Sequence, residues 1–207
     1  KKHVAFFSLE MSNEQLATRL IAQETSIDTQ RLRTGKLQDQ EWGLFTAAIE
    51  SLSDTHIYLD DTAAITPLQL QTKCRRLDQE HKLDLIIVDY LQLMTGDRQI
   101  DNRVQEVSNI SRNLKVLARD LKVPVLAAAQ LSRAVEQRAD KRPMLSDLRE
   151  SGSLEQDADV VLFIHRPDMM EEGPAGNLAE IIVAKHRNGP THSGIQMVFL
   201  KNLARFV

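Results

Sequence analysis

The chain has a single cysteine, Cys74, among its 207 residues. This excludes an internal disulfide and fits a reducing compartment. Aromatic residues make up only 4%, with six prolines and eight glycines, too few of either for a fibrous or low-complexity chain. Charge of one sign is also lacking: 26 Lys and Arg face 29 Asp and Glu, a formal net charge of −3. That balance excludes a bulk basic coat, so any contact with nucleic acid must be local. No apolar run approaches the roughly 20 residues of a membrane-spanning helix, and no secretory leader is legible at the start. The six histidines show no ligand spacing, and His165, His186 and His192 are too scattered to suggest zinc. What is present is an ordinary globular composition, 42% hydrophobic and 27% charged, sufficient for one domain with a substantial core.

Short β-branched runs alternate with longer segments of helical period, the pattern of an α/β domain with a largely parallel sheet flanked by helices. The strands read as His3–Leu9, His56–Asp60, Leu85–Asp89, Val123–Ala129, Val160–His165, Glu180–Lys185 and Ile195–Leu200. Between the first two lie two helices. One opens on a capping box, Ser12 with Gln15; the other begins near Asp39 and carries Trp42, Phe45, Ile49 and Leu52 on one face. Thr66-Pro67 opens a third, with Leu70, Cys74 and Leu77 on one stripe, where Cys74 reads as core. The fourth and longest is capped by Asp101 and packs Val104, Val107, Ile110, Leu114, Leu117 and Leu121 on the sheet. Pro/Gly-rich segments at 166–178 and 186–194 are loops, and the second joins the last two strands as a β-hairpin.

Three strands run into polar residues that could carry chemistry. "DLIIVDYLQLM" (84–94) drives four apolar residues into Asp89, "VAFFSLEMS" (4–12) ends near Glu10, and "VPVLAAAQLS" (123–132) ends at Gln130. Ligands of open α/β sheets bind off the carboxyl ends of strands. Two acids and an amide there suit a nucleotide: one carboxylate activates water, one organises a metal's water shell, and the amide senses phosphate without cancelling charge. Each also has a purely local reading: Asp89 and Glu10 as helix caps or ion pairs, Gln130 as a solvated loop residue.

"FFSLEMS", "DLIIVDYLQLM", "VPVLAAAQLSRAVEQR", "DLRESGSLEQDADVVLFIHR" and "AKHRNGP", in this order over almost the whole chain, resemble the C-terminal motor domain of the bacterial replicative DNA helicases, the DnaB family. The resemblance implies a RecA-like P-loop NTPase core with a C-terminal β-hairpin. It further implies a homohexameric ring that hydrolyses ATP with Mg²⁺ between subunits while moving on single-stranded DNA, in the cytoplasm at the replication fork of the nucleoid. Matched residue by residue, Glu10 is the general base, Asp89 holds Mg²⁺ through water, and Gln130 links nucleotide state to the DNA loops. Arg187 is the arginine finger, with Lys185 as its partner; such fingers contribute about 10³–10⁵ in rate. Arg19 matches a further position near the phosphates. "DLRESGS" (147–153) matches the channel loop, with Arg149, Glu150 and Gly152 as DNA contacts. Read from the residues alone, "KHR" (185–187) is a basic turn and 147–159 a mostly acidic surface loop. The Arg/Lys-bearing segment 131–143 reads as a solvated mobile loop that could also line the channel.

One departure is large. No Gly-x-x-x-x-Gly-Lys-Ser/Thr run occurs, and the only Gly-Lys, Gly35-Lys36, is followed by Leu37. In this family that loop, its strand and its helix precede the strand ending at Glu10. Residues 1–207 are therefore expected to be a partial motor domain, inactive alone, whose missing interior strand leaves unpaired edges and exposed apolar faces. In this family a helical N-terminal domain recruits primase, and residues 1–207 are expected to lack it as well; a helicase loader is a further expected partner of a full-length member. Two other readings stand beside this one: a recombination or repair ATPase of the RecA class, and a non-catalytic ring-forming or DNA-binding remnant.

Overall fold

A computed structural model describes residues 1–97, 102–151, 153–167 and 175–207. The chain begins with β1 (His3–Ser8), followed by α1 (Asn13–Thr25), α2 (Thr29–Thr34) and α3 (Asp39–Ser53). Next come β2 (His56–Asp60), α4 (Pro67–His81), β3 (Leu85–Asp89), α5 (Arg103–Leu121) and β4 (Val125–Ala127). The last part holds α6 (Leu154–Asp157), β5 (Val160–His165), β6 (Leu178–His186), β7 (His192–Leu200) and β8 (Arg205–Phe206).

The α/β expectation holds, with a division that the pattern did not reveal. Strands β1 to β4 form a parallel sheet in the order β2-β1-β3-β4, whereas β5 to β8 form a separate antiparallel sheet in sequence order. The parallel strands read as unbroken apolar runs because helices cover them: Ala5, Phe7, Ile86 and Val88 are buried with Leu70 and Cys74 of α4 and Ile110, Leu114 and Leu117 of α5. A smaller cluster, Leu148, Val161, Phe163 and Ile182, holds the antiparallel sheet against the segment after β4.

Helix starts follow side-chain chemistry. Ser12 makes the expected capping box; Thr66, expected only as the residue before Pro67, makes another with Gln69, and Pro67 occupies the first turn of α4, where its missing N–H costs nothing. The predicted cap Asp101 lies outside the described residues; Asn102 caps α5, its side chain accepting the Val104 N–H at 2.9 Å. The hairpin of β6 and β7 is longer at both ends than its apolar cores suggest, because main-chain pairing carries on through polar residues such as His192. By contrast, β4 is shorter than Val123–Ala129, since the left-handed turn at Lys122 and Pro124 delay its start. Three elements escaped the pattern: α2, a single capped turn-and-a-half from Asp28 to Gly35, α6, within the stretch read from its residues as a surface loop, and β8, a two-residue strand. On α3 only Ala48 is buried, and Trp42 and Ile49 of its apolar face stand half exposed.

Each sheet ends in strands with a single neighbour: among the described residues β2, β4, β5 and β8 each lack a second neighbouring strand. Leu126, Leu162 and Ile164 on these strands are 53%, 51% and 57% exposed, a strong departure from the polar outer face a free-standing sheet presents.

Candidate functional site

Register brings the strand-end residues together. Ser8 of β1 pairs with Asp89 of β3, and the Leu9 N–H donates to the Asp89 carbonyl at 2.7 Å, so Glu10 leaves its strand directly beside Asp89. On the other side Val88 pairs with Ala127, and the Ala128 N–H donates to the Val88 carbonyl at 2.9 Å; two residues later comes Gln130. Because the strands are parallel and adjacent, all three residues emerge at the same carboxyl edge. They line a cleft of about 350 Å³ with Tyr90, Ala128 and Ala129. Glu10 and Gln130 are exposed and Asp89 is half buried, and the Asp89-Tyr90 peptide bond is cis.

Two carboxylates and an amide around an open cleft fit a hydrated Mg²⁺, which keeps most of its waters and takes one or two protein carboxylates together with phosphate oxygens. Among the described residues, no group of three or more His, Cys, Asp or Glu forms a closed metal cage.

Gln130 is held from behind. The Gln92 side chain accepts the Gln130 N–H and donates to the Gln130 carbonyl, both at 3.1 Å. Arg103, at the start of α5, donates to the Gln92 carbonyl at 2.5 Å and pairs with Glu106. The Gly96 N–H, at 2.8 Å, and then Arg103 keep the Glu106 carboxyl below the usual carboxylate range despite its burial. Neither Gln92 nor Arg103 stands out in the sequence.

The segment following Gln130 is pinned rather than mobile. Asp147, only 5% exposed, accepts two hydrogen bonds from Arg138 at 3.1 and 2.8 Å and one from the Met144 N–H at 2.8 Å. Its own carbonyl accepts the Ser132 N–H at 3.0 Å. Arg142 in turn pairs with Glu180 at 2.5 Å. The Gln196 amide, followed by Arg142, holds the Glu180 carboxyl below its ordinary range. Of the cations read as possible channel lining, Arg138 and Arg142 are thus engaged within the chain, while Arg133 and Lys141 are exposed.

Lys185 and Arg187 sit together at the hairpin's end but do not line the cleft. Lys185 Nζ donates to the Glu155 carbonyl; Arg187 donates to the Gln156 carbonyl at 3.1 Å and pairs with Asp159 at 3.0 Å. Asp159 also pairs with Lys115, which, more than Arg187, keeps its carboxyl below the ordinary range. Arg19 is exposed on α1 and likewise does not line the cleft. Arg149 and Glu150 fall in a short 3₁₀ helix, Leu145–Ser151; their side chains, and Gly152, lie outside the described residues.

The model of the DnaB-like helicase C-terminal domain matches residues 1–207. The chain belongs to this family. It is 54% identical over 208 residues to the replicative DNA helicase DnaB of Geobacillus stearothermophilus, an alignment covering 100% of this chain and 46% of that protein. It is also 54% identical over 206 residues to the replicative DNA helicase DnaC of Bacillus subtilis strain 168, covering 99% and 45% respectively. The chain thus spans about half the length of these relatives. Among solved structures, a DnaB-like replicative helicase described with its primase interactions superposes with a TM-score of 0.94 at 40% identity, covering 100% of this chain and 50% of that one. A second solved structure, of an ATPase domain, gives the same TM-score and identity, with 74% of that chain covered. The folds agree in a RecA-like ATPase architecture.

Proposed function

We propose that this chain is the greater part of the ATP-driven motor of a replicative DNA helicase, working as a homohexameric ring on single-stranded DNA in the cytoplasm. The observation that carries the reading is the convergence of Glu10, Asp89 and Gln130 from three adjacent parallel strands onto one cleft. In that cleft Glu10 takes the proton of the attacking water. Asp89 would hold Mg²⁺, and Gln130 hydrogen-bonds the terminal phosphate. Bound Mg²⁺ would neutralise charge on the phosphate oxygens. Lys185 and Arg187, together at the hairpin end and away from the chain's own cleft, act on nucleotide bound by the neighbouring subunit. Arg19 serves the phosphates from α1. Arg149, Glu150 and the backbone at Gly152 grip single-stranded DNA without reading bases. Helicase loader and primase are the partners expected of the assembled ring.

The phosphate-cradling lysine and hydroxyl belong, on this reading, to a strand-loop-helix unit preceding residue 1 in the full-length protein. Its strand would fill the space between β4 and β5. The unpaired edges of these strands support this, as does the apolar row Ile164, Ile181 and Ile195 across the antiparallel sheet, whose end members are about half exposed.

The test compares ATP turnover, with and without single-stranded DNA, for this chain and for one extended upstream by about 50 residues, enough for such a unit. Only the extended protein should turn over, with DNA stimulation. If neither turns over while both bind single-stranded DNA, the chain is an interaction module and the motor reading fails.

A further inference from the structure

We infer that Gln92 is a positioning residue that fixes Gln130 and thereby sets how strongly DNA stimulates turnover; the inference rests on the reading of Gln130 as the phosphate sensor. The β3–β4 ladder stops at its ends with the Ala128 N–H on Val88 and the Leu91 N–H on the Ala128 carbonyl, at 2.9 and 3.0 Å. Beyond that point no backbone–backbone hydrogen bond of this ladder reaches Gln130 among the described residues. The Gln92 amide replaces the missing strand: its Oε1 accepts the Gln130 N–H and its Nε2 donates to the Gln130 carbonyl, both at 3.1 Å. A primary amide presents one acceptor and one donor side by side, as a peptide group does. Glutamate at this position would have no proton to give, and asparagine is one methylene short.

The clasp has a base and a load. Its base is Arg103, whose guanidinium binds the Gln92 carbonyl and pairs with Glu106 on the first turn of α5. Its load is the segment after Gln130, because the Ser132 N–H lies on the Asp147 carbonyl at 3.0 Å and Asp147 opens "DLRESGS". A displacement of Gln130 toward phosphate therefore reaches residues 147–151 through two links, the main chain 130–132 and the Ser132–Asp147 hydrogen bond. With the clasp open, Gln130 is no longer held to the β3 end, so its position, and through those two links that of residues 147–151, is no longer fixed relative to the cleft.

The experiment uses the full-length protein with Gln92→Met, Gln92→Glu and Gln130→Met. The readouts are turnover with and without an oligothymidylate, and hydrogen exchange of the Gln130 amide. The ratio of DNA-stimulated to unstimulated turnover should fall roughly tenfold in Gln92→Met, in keeping with two lost hydrogen bonds, and should also fall in Gln92→Glu, whose carboxylate still accepts the Gln130 N–H but sets a second acceptor against the Gln130 carbonyl. Gln130 amide exchange should quicken by a similar factor in Gln92→Met, which keeps the bulk of glutamine without its polar atoms. Gln92→Glu should recover stimulation relative to the parent as pH falls toward the range where a carboxyl is protonated and can again donate. An unchanged ratio in Gln92→Met, or an equally protected Gln130 amide, overturns the inference when Gln130→Met abolishes stimulation. If Gln130→Met also leaves the ratio intact, the sensor reading has failed and the inference falls with it.

Discussion

Asp147→Ala tests how the segment after Gln130 is held. The carboxylate is the sole anion on Arg138 among the described residues, bound at 3.1 and 2.8 Å, and it also caps the Met144 N–H at 2.8 Å. The Asp147 side chain is 6% exposed and that of Arg138 30%, so truncation strands a cation that water only partly reaches. The Arg138 Nε is already buried without a partner. Breaking a fully buried ion pair costs about 3–5 kcal/mol; partial access of water to Arg138 reduces this, and the lost Met144 hydrogen bond returns about 1 kcal/mol of cost. A net loss of about 2–4 kcal/mol corresponds to roughly 5–15 °C in melting temperature for a domain of this size. The assay is thermal unfolding followed by circular dichroism on the full-length protein, alongside Arg138→Met and the double variant. In the double variant no buried charge is stranded, so its melting temperature should lie well above the sum of the two single losses. A shift of under about 1 °C for Asp147→Ala, or strict additivity in the cycle, would refute the view that this carboxylate anchors the segment.

Four other outcomes are expected. Arg187→Ala should abolish turnover in a uniform ring, yet mixing it with Glu10→Gln subunits should restore part of the activity, because an intact base and an intact finger then meet at some interfaces; absence of rescue argues that Arg187 acts within its own subunit. Arg149→Ala should weaken binding of single-stranded DNA across all sequences and lower the salt slope by about 1, and unchanged affinity by fluorescence anisotropy would return 147–153 to a surface loop. Cys74, fully buried, has its thiol pushed up to about 12 by burial and by nearby Asp60; labelling by a thiol reagent at pH 8 should therefore be slow in the native state and fast in urea. Burial opposes ionisation of Asp60, but hydrogen bonds from Lys73 and Thr62 outweigh it and leave its pKa below 3.8. The stabilisation is thus complete above the ordinary carboxylate range and lost as pH falls through the depressed value. Lys73→Met should accordingly be less stable than the parent in urea at pH 7, with the gap narrowing as pH falls below the ordinary carboxylate range; a gap independent of pH would contradict this.

How much was legible follows from the range of each interaction. An apolar run ending on a polar residue is a local signal, and it identified Glu10, Asp89 and Gln130 as strand-end residues in a segment of the correct type. Helical stripes likewise identified α4 and α5, a capping box marked the start of α1 and Thr66-Pro67 that of α4, because side chains three and four residues apart share a face and a proline fits the first turn regardless of what lies beyond. The pattern gave the β-hairpin of the last two long strands but not that Val160–His165 joins it in a separate antiparallel sheet, since that strand reads as a buried run although Leu162 and Ile164 stand exposed.

The tertiary structure alone decided which polar residues meet. Ser8 opposite Asp89 and Val88 opposite Ala127 are matters of register, and a shift of one residue would have turned the strand-end side chains to the other face of the sheet. The Gln92 clasp spans 38 residues in sequence and the Arg142–Glu180 pair another 38, separations at which composition and periodicity carry no information. The same holds for Lys185 and Arg187: the sequence by itself determined a basic turn, and only the packing of the hairpin against α6 set these cations on the Glu155 and Gln156 carbonyls rather than in the chain's own cleft. Local hydrogen bonds and side-chain periodicity are written in neighbouring residues, whereas a site built from strand ends exists only once the strands have closed on one another in a single register.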